Sequence, residues 1–146
     1  MKTLFVIFLS FSTLVFAQNT DEKDIEKSIQ NLFVAMKNAD SAGIKNSFTE
    51  NAIMQTFGKN GEIRTEKVSG FATQVGKSEK NSLDERFTIK NILIDENMAS
   101  VWAPYEFYYQ GKFSHCGVNN IQMVKEKGFW KINYIIDTRR KENCKK

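Results

Sequence analysis

Apolar positions along this chain change period twice. After Thr20, a reasonable helix N-cap followed by Asp21 and Glu22, Ile25, Ile29, Leu32, Phe33 and Met36 recur three and four residues apart, as on one buried helical stripe. Asp40 is placed to cap a short second helix carrying Ile44 and Phe48. Ala52 to Phe57 reads as a strand, Gly58-Lys59-Asn60-Gly61 as a turn, and Glu62 to Thr65 as its return partner. Val68, Phe71, Ala72 and Val75 then restore the helical period, and Gly76 closes it. From Leu83 onward strands dominate: one long strand carries Phe87, Ile89 and Leu93, and Asp95-Glu96-Asn97 turns it into the next.

The stretch from Met98 to Cys144 reads as three consecutive strands in two hairpins. Gln110-Gly111 closes the first, setting Tyr109 opposite Lys112, Phe107 opposite Ser114 and Tyr105 opposite Cys116. Lys127-Gly128 closes the second, setting Trp130 opposite Val124, Ile136 opposite Val118 and Thr138 opposite Cys116. Strand side chains alternate between faces, so this register sorts the residues into two sets. The set taken as the concave face, under the helices, includes Val101, Ala103, Cys116, Val118 and Ile136. It also holds the candidate pocket residues Tyr105, Phe107, Asn120, Trp130, Tyr134 and Thr138. The other set carries Trp102, Tyr108, Phe113, Asn119, Ile121, Met123 and Ile135 with the polar cluster His115, Asp137 and Arg139. That face is too apolar for an ordinary solvated surface and suggests contact with a second subunit. A one-residue slip in either hairpin would exchange the two sets.

The first seventeen residues read as an address rather than as fold. Lys2 supplies one positive charge, Leu4 to Phe16 is an apolar or hydroxyl run, and Val15-Phe16-Ala17 fits a signal-peptidase site. The run is shorter than the roughly 18–20 apolar residues that span a bilayer, so no stable membrane anchor is expected after cleavage. Residues 18–146 then form a single domain, exported to the periplasm or secreted. Loss of Lys2 lowers the formal charge from +4 to +3, and the excess gathers at the tail in Arg139, Arg140, Lys141, Lys145 and Lys146. A nucleic-acid surface would need basic residues interleaved with exposed aromatics along one face, and an exported chain rarely meets nucleic acid, so nucleic acid is not an expected partner. The tail is read as a solvated end, with recognition of anions or acidic surfaces as its alternative.

Cys116 and Cys144 are the only cysteines. An even count in an exported chain makes one disulfide the default; two free thiols or a catalytic Cys116 are the alternatives. His115 neighbours Cys116, but adjacent strand residues point to opposite faces, which argues against their pairing. As the single histidine, His115 has no second ligand at metal spacing, so no metal site is expected. No glycine-rich phosphate loop and no defensible hydrolase triad occur, and no cofactor is expected. His115 and Asp137 are read either as a structural cluster with Arg139 or as a general base and its holder. Asp84-Glu85-Arg86 is read as a surface ion pair.

Helices followed by a long curved sheet, with a terminal strand reading Gly128-Phe129-Trp130-Lys131-Ile132, resemble the nuclear transport factor 2-like superfamily. The segments Trp102-Ala103-Pro104-Tyr105, Ser114-His115-Cys116-Gly117-Val118-Asn119 and Asp137-Thr138-Arg139-Arg140, with Cys144 beyond, look like its exported bacterial branch described as putative lumazine-binding. The resemblance implies an α+β fold: a cone-shaped, curved antiparallel sheet covered by N-terminal helices. It also implies a cavity for a small apolar or heterocyclic molecule, and a homodimer packed through the outer sheet face. Relatives that isomerise steroids or cyclise polyketides place an acid at or just after the first strand, whereas Ala52 to Gly58 carries no carboxylate. The expectation is therefore a non-catalytic, exported binding domain with an aromatic-lined pocket. Its alternative is a small enzyme of the ketosteroid isomerase-like type using His115 and Asp137, or pocket tyrosines, for proton transfer.

Overall fold

Three helices cover one face of a sheet whose strands follow the alternation above, with two local insertions that change its meaning. The computed structural model describes residues 13–58 and 60–144, so most of the leader read as a signal peptide lies outside the described residues. Helix α1 spans Thr13–Lys37 and passes through Thr20 instead of starting there. Its stripe of Ile25, Ile29, Leu32, Phe33 and Met36 is buried as the spacing requires. Helix α2 (Ser41–Asn46) is capped by Asp40, whose carboxylate accepts the Gly43 N–H at 2.9 Å. Phe48, expected in this helix, instead opens strand β1 (Phe48–Phe57). β2 (Ile63–Glu66) returns antiparallel to β1, and α3 (Val68–Gly76) follows.

The long strand expected after Leu83 is two strands, β3 (Leu83–Phe87) and β4 (Asn91–Asp95), both paired with β5 (Met98–Tyr109). The break lies opposite Pro104, whose carbonyl accepts from Thr88 N–H at 2.9 Å but which has no N–H to return. β6 (Lys112–Glu126) and β7 (Phe129–Asp137) complete a sheet of order β2-β1-β7-β6-β5-β3. The sheet is mixed rather than wholly antiparallel, because β1 runs parallel to β7. Turns at Gln110-Gly111 and Lys127-Gly128 fall where expected, each with positive φ at both central residues, the conformation favoured in two-residue hairpins.

Register departs from expectation at two bulges and at the second turn, where Trp130 faces Lys125 rather than Val124 because the two-residue turn sets Glu126 opposite Phe129. Tyr109 faces Lys112 as read, but Tyr108 faces Phe113 and Phe107 faces His115, leaving Ser114 as an extra residue. In the second hairpin Met123 faces Ile132 and Gln122 faces Tyr134, leaving Asn133 extra. The Asn133 side chain accepts a 3.0 Å hydrogen bond from buried Thr49 of β1, which pins that bulge. Each insertion reverses side-chain parity beyond it. The concave face therefore carries Tyr105 and Phe107 with His115, Gly117, Asn119, Ile121, Ile135 and Asp137. Val118, Asn120, Tyr134, Ile136 and Thr138 turn to the convex side. Between α1 and the concave face lies a core including Val101, Ala103, Ile121, Met123, Trp130 and Ile132.

Cys116 and Cys144 are joined by a disulfide, which ties the segment after β7 back onto β6. Next to it, Cys116 and Arg140 exchange two backbone hydrogen bonds, each 2.9 Å. No helix among the described residues is long and apolar enough to cross a membrane.

Candidate functional site

A cavity of about 390 Å³ lies between α1, α3 and the concave face. Leu32, Phe33 and Met36 of α1, Phe71 and Val75 of α3, and Phe107 and Ile135 of the sheet form its apolar wall. Arg64 and Glu66 of exposed β2, with Gln74 and Ser78, line the side that meets solvent. Glu85, Tyr105, His115, Asn119, Asp137 and Arg139 make its polar end.

Strand alternation explains why these groups converge. Leu83, Glu85 and Phe87 share the inward face of β3, opposite Tyr109, Phe107 and Tyr105. Across β5 the inward partners are Gly117 for Tyr105 and Asn119 for Ala103, and Asn119 in turn faces Asp137. Gly117 permits an unusual crossing. Thr138 N–H donates to the Val118 carbonyl at 3.1 Å, but the Val118 N–H is met by the Thr138 hydroxyl at 3.2 Å, so the Thr138 carbonyl is released. That carbonyl lies over Gly117, 3.1 Å from the Tyr105 hydroxyl, and a Cβ at Gly117 would stand 1.7 Å from it.

The Tyr105 hydroxyl also lies 2.8 Å from Asp137 Oδ2, and Arg139 Nε donates to the same oxygen at 2.8 Å. A phenol has one proton to give, so Tyr105 spends its donor capacity inside the protein. Burial, reinforced by the carboxylates of Asp137 and Glu85, pushes its pKa well above the ordinary tyrosine value. His115 stacks tilted against Phe107 at 5.0 Å and edge-on to Tyr105 at 5.7 Å, and its Nδ1 is 3.1 Å from Ser114 Oγ. Burial, then the nearby Arg139 charge, lowers its pKa, favouring neutral imidazole. Asp137 is bonded to Tyr105 and Arg139, as in the structural-cluster reading, and not to His115 as the alternative general-base reading requires.

Glu85 differs from the other acids. The residue is only partly buried, yet its carboxyl group is turned into the cavity, where Oε1 accepts from Asn119 Nδ2 at 2.7 Å. No cation pairs with it among the described residues. Burial pushes its pKa up to about 8, with Asp137 adding to the rise, and Asn119 and Arg139 offsetting part of it. It is mostly the neutral acid at pH 7. Its neighbours Asp84 and Arg86 do form the surface ion pair that was read for the whole triplet, at 2.9 Å. Thr56 Oγ1, on another residue of the cavity lining, is buried with no hydrogen-bond partner.

Of the six residues expected to line the pocket, Tyr105 and Phe107 line this cavity. Asn120, Tyr134 and Thr138 do not, because the bulges at Ser114 and Asn133 turn them outward. Tyr134 instead donates to Gln55 at 2.8 Å. Trp130 keeps its concave parity but packs into the core, where its indole N–H donates to Asp21 of α1 at 3.0 Å. His115, Asp137 and Arg139, expected on the outer face, point inward through the same reversals. Glu85, Asn119 and Thr56 were not among the expected site residues. The signal available for Glu85 was its parity, an acid in line with Leu83 and Phe87. No group of three or more His, Cys, Asp or Glu residues suited to a metal occurs among the described residues.

The model of the family described as putative lumazine-binding matches residues 20–133. The chain belongs to this family. No curated protein sequence matches it. Among solved structures, an NTF2-like protein of unknown function from Shewanella baltica is similar at 16% identity and TM-score 0.68, covering 84% of this chain and 95% of that one. Another from Silicibacter pomeroyi is similar at 14% identity and TM-score 0.71, covering 84% and 98%. A ketosteroid isomerase-like protein from Erwinia carotovora atroseptica is similar at 15% identity and TM-score 0.64, covering 83% and 97%. At these identities the likeness is one of fold. This member of the putative lumazine-binding family thus has the nuclear transport factor 2-like architecture expected from its sequence.

Proposed function

We propose that this protein is exported, and that its cone cavity binds one small heterocyclic molecule without turning it over. The observation that carries this reading is the meeting, in one cavity, of an aromatic and aliphatic wall with a polar end where Glu85 has one carboxyl oxygen bonded to Asn119 and the other without a protein partner among the described residues. A flat heterocycle has an apolar face for Phe33, Phe71 and Phe107 and an edge of donors and acceptors for the polar groups. The family description points to lumazine, a pteridine of that shape. Export is supported by the apolar leader and by the Cys116–Cys144 bond, which suits an oxidising compartment. Exposed Leu93 and Trp102 on the convex face support a homodimer formed through that surface.

Fluorescence titration of the purified protein with lumazine is expected to saturate at one ligand per chain, with the ligand recovered unchanged. Phe107→Ala should weaken binding at least tenfold while far-ultraviolet dichroism stays native. Absence of saturable binding would refute the reading. A second reading, proton transfer, is favoured by Glu85, an unpaired acid in the cavity with its pKa near 8. Turnover that disappears in Glu85→Gln would select it over simple binding.

A further inference from the structure

We infer that Glu85 selects the ligand: held by Asn119, its carboxylic acid donates a hydrogen bond to a carbonyl oxygen or ring nitrogen on an uncharged ligand edge. This rests on the heterocycle-binding reading and adds to it the chemistry of the edge that enters first.

Geometry fixes the direction of the hydrogen bond. Asn119 is 4% exposed, so its amide is a rigid part of the wall, and its Nδ2–H group occupies Glu85 Oε1 at 2.7 Å. The acid proton therefore belongs on the other oxygen, which has no protein partner among the described residues. Glu85 sits opposite Phe107 on β5, and Phe87 on the same face of β3 packs against Phe33 with ring centroids 5.0 Å apart. These rings supply apolar surroundings and no acceptor, so the proton is left to the cavity, where solvent or a ligand can accept it. A ligand acceptor would complete the arrangement.

The charges around the cavity argue for a neutral edge. Tyr105 of β5, His115 of β6, Asp137 of β7 and Arg139 beyond it face Glu85, while Arg64 and Glu66 of β2 stand across the opening. α1 and α3 face the cavity with no titratable side chain. Arg139 is already bonded to Asp137. An anionic edge beside Glu85 would add a second negative charge next to Asp137, and a cationic edge would meet the Arg139 guanidinium. A neutral acceptor disturbs neither.

The test is binding of lumazine methylated on both imide nitrogens, a probe that cannot ionise, measured from pH 6 to pH 9. Wild-type affinity is expected to fall about tenfold between pH 7 and pH 9, following loss of the Glu85 proton. Glu85→Gln keeps a donor and should give a flat profile. Glu85→Leu should bind at least tenfold more weakly than wild type at pH 7. A flat wild-type profile, or Glu85→Leu binding as tightly as wild type, overturns this inference and leaves the heterocycle reading standing. Failure of the probe to bind the wild type at pH 7 overturns both. Carbon-13 titration of the ligand-free protein adds a readout that needs no ligand: a Glu85 carboxyl titrating in the ordinary glutamate range overturns the inference.

Discussion

Gly117 is where the path of the chain and the chemistry of the cavity meet, and Gly117→Ala tests both. The new Cβ would lie 1.7 Å from the Thr138 carbonyl oxygen and 2.8 Å from Cε1 of Tyr105. The first of these neighbours is backbone, fixed by the Thr138–Val118 and Arg140–Cys116 hydrogen bonds and by the nearby disulfide, so no side-chain rotation relieves the overlap. Two costs add. Overpacking of this kind costs about 1–3 kcal/mol. Swinging the Thr138 carbonyl away leaves it without the Tyr105 hydroxyl, a donor it shares with Asp137, about 1 kcal/mol more. The sum, about 2–4 kcal/mol, should lower the thermal midpoint by on the order of 10 °C for a domain of this size.

Urea denaturation followed by tryptophan fluorescence measures the loss directly, provided the slope against denaturant is unchanged. Gly70→Ala is the control. It lies inside α3, and its Cβ would find only Glu66 Oε1, 3.9 Å away, so alanine there should gain up to about 1 kcal/mol of helix propensity. Thr138→Val, which removes the hydroxyl that satisfies Val118 N–H, should cost about 1 kcal/mol alone. Because both substitutions perturb the crossing of Thr138 over Gly117 and Val118, the double variant should depart from the sum of the two singles. A Gly117→Ala protein within about 0.5 kcal/mol of wild type would refute the argument.

Reducing the Cys116–Cys144 bond opens a loop with a sequence separation of 28, and the Cys116→Ser, Cys144→Ser protein should lose about 3–4 kcal/mol in urea unfolding. Adding reductant to wild type should reproduce that loss, whereas unchanged midpoints would show that the bond adds no stability. Glu85 has a folded pKa raised to about 8, so the folded state binds its proton more tightly than the unfolded chain does. Its contribution is present below the unfolded glutamate pKa and is lost as pH rises towards 8, by at most about 1.4 kcal/mol per pH unit. The stability of wild type relative to Glu85→Gln should therefore fall between pH 5 and pH 8, and a constant difference would place the Glu85 carboxyl in water. Trp102 is 48% exposed on the convex face, and Trp102→Glu should convert a dimer to monomer in sedimentation equilibrium; a wild type already monomeric at every concentration rejects that interface.

Much of the architecture was legible because long periodic segments depend on burial, which the sequence displays. The stripe of α1, the Asp40 cap, the span of α3 and both tight turns of the last three strands were all readable from spacing. Local competition hid the rest. Phe48 fitted a helical stripe but is claimed by β1 through tertiary pairing with Ile132. Pro104 removes one ladder donor and splits an apparently continuous strand. The site depended on parity, and parity is the property most sensitive to a single inserted residue. Nothing in Phe113-Ser114-His115 or Ile132-Asn133-Tyr134 marks a bulge by composition alone.

The two bulges act together, and their joint effect accounts for the cavity's chemistry. Without the one at Ser114, His115, Gly117 and Asn119 would face outward, and Tyr105 would oppose Cys116. Without the one at Asn133, Asp137 would face outward, and the Tyr105 hydroxyl would lose its carboxylate. Either reversal alone would set a polar half-cluster against an apolar one, leaving a buried carboxyl or phenol without its partner. The Asn119–Glu85 pairing needs the bulge at Ser114, and Tyr105–Asp137 needs both. Glycine at 117 follows from the same arrangement, because it is the inward residue over which the Thr138 carbonyl must pass. A polar end built by two coordinated register shifts is more than the packing of an apolar core demands, and that is the physical ground for proposing that it meets a ligand.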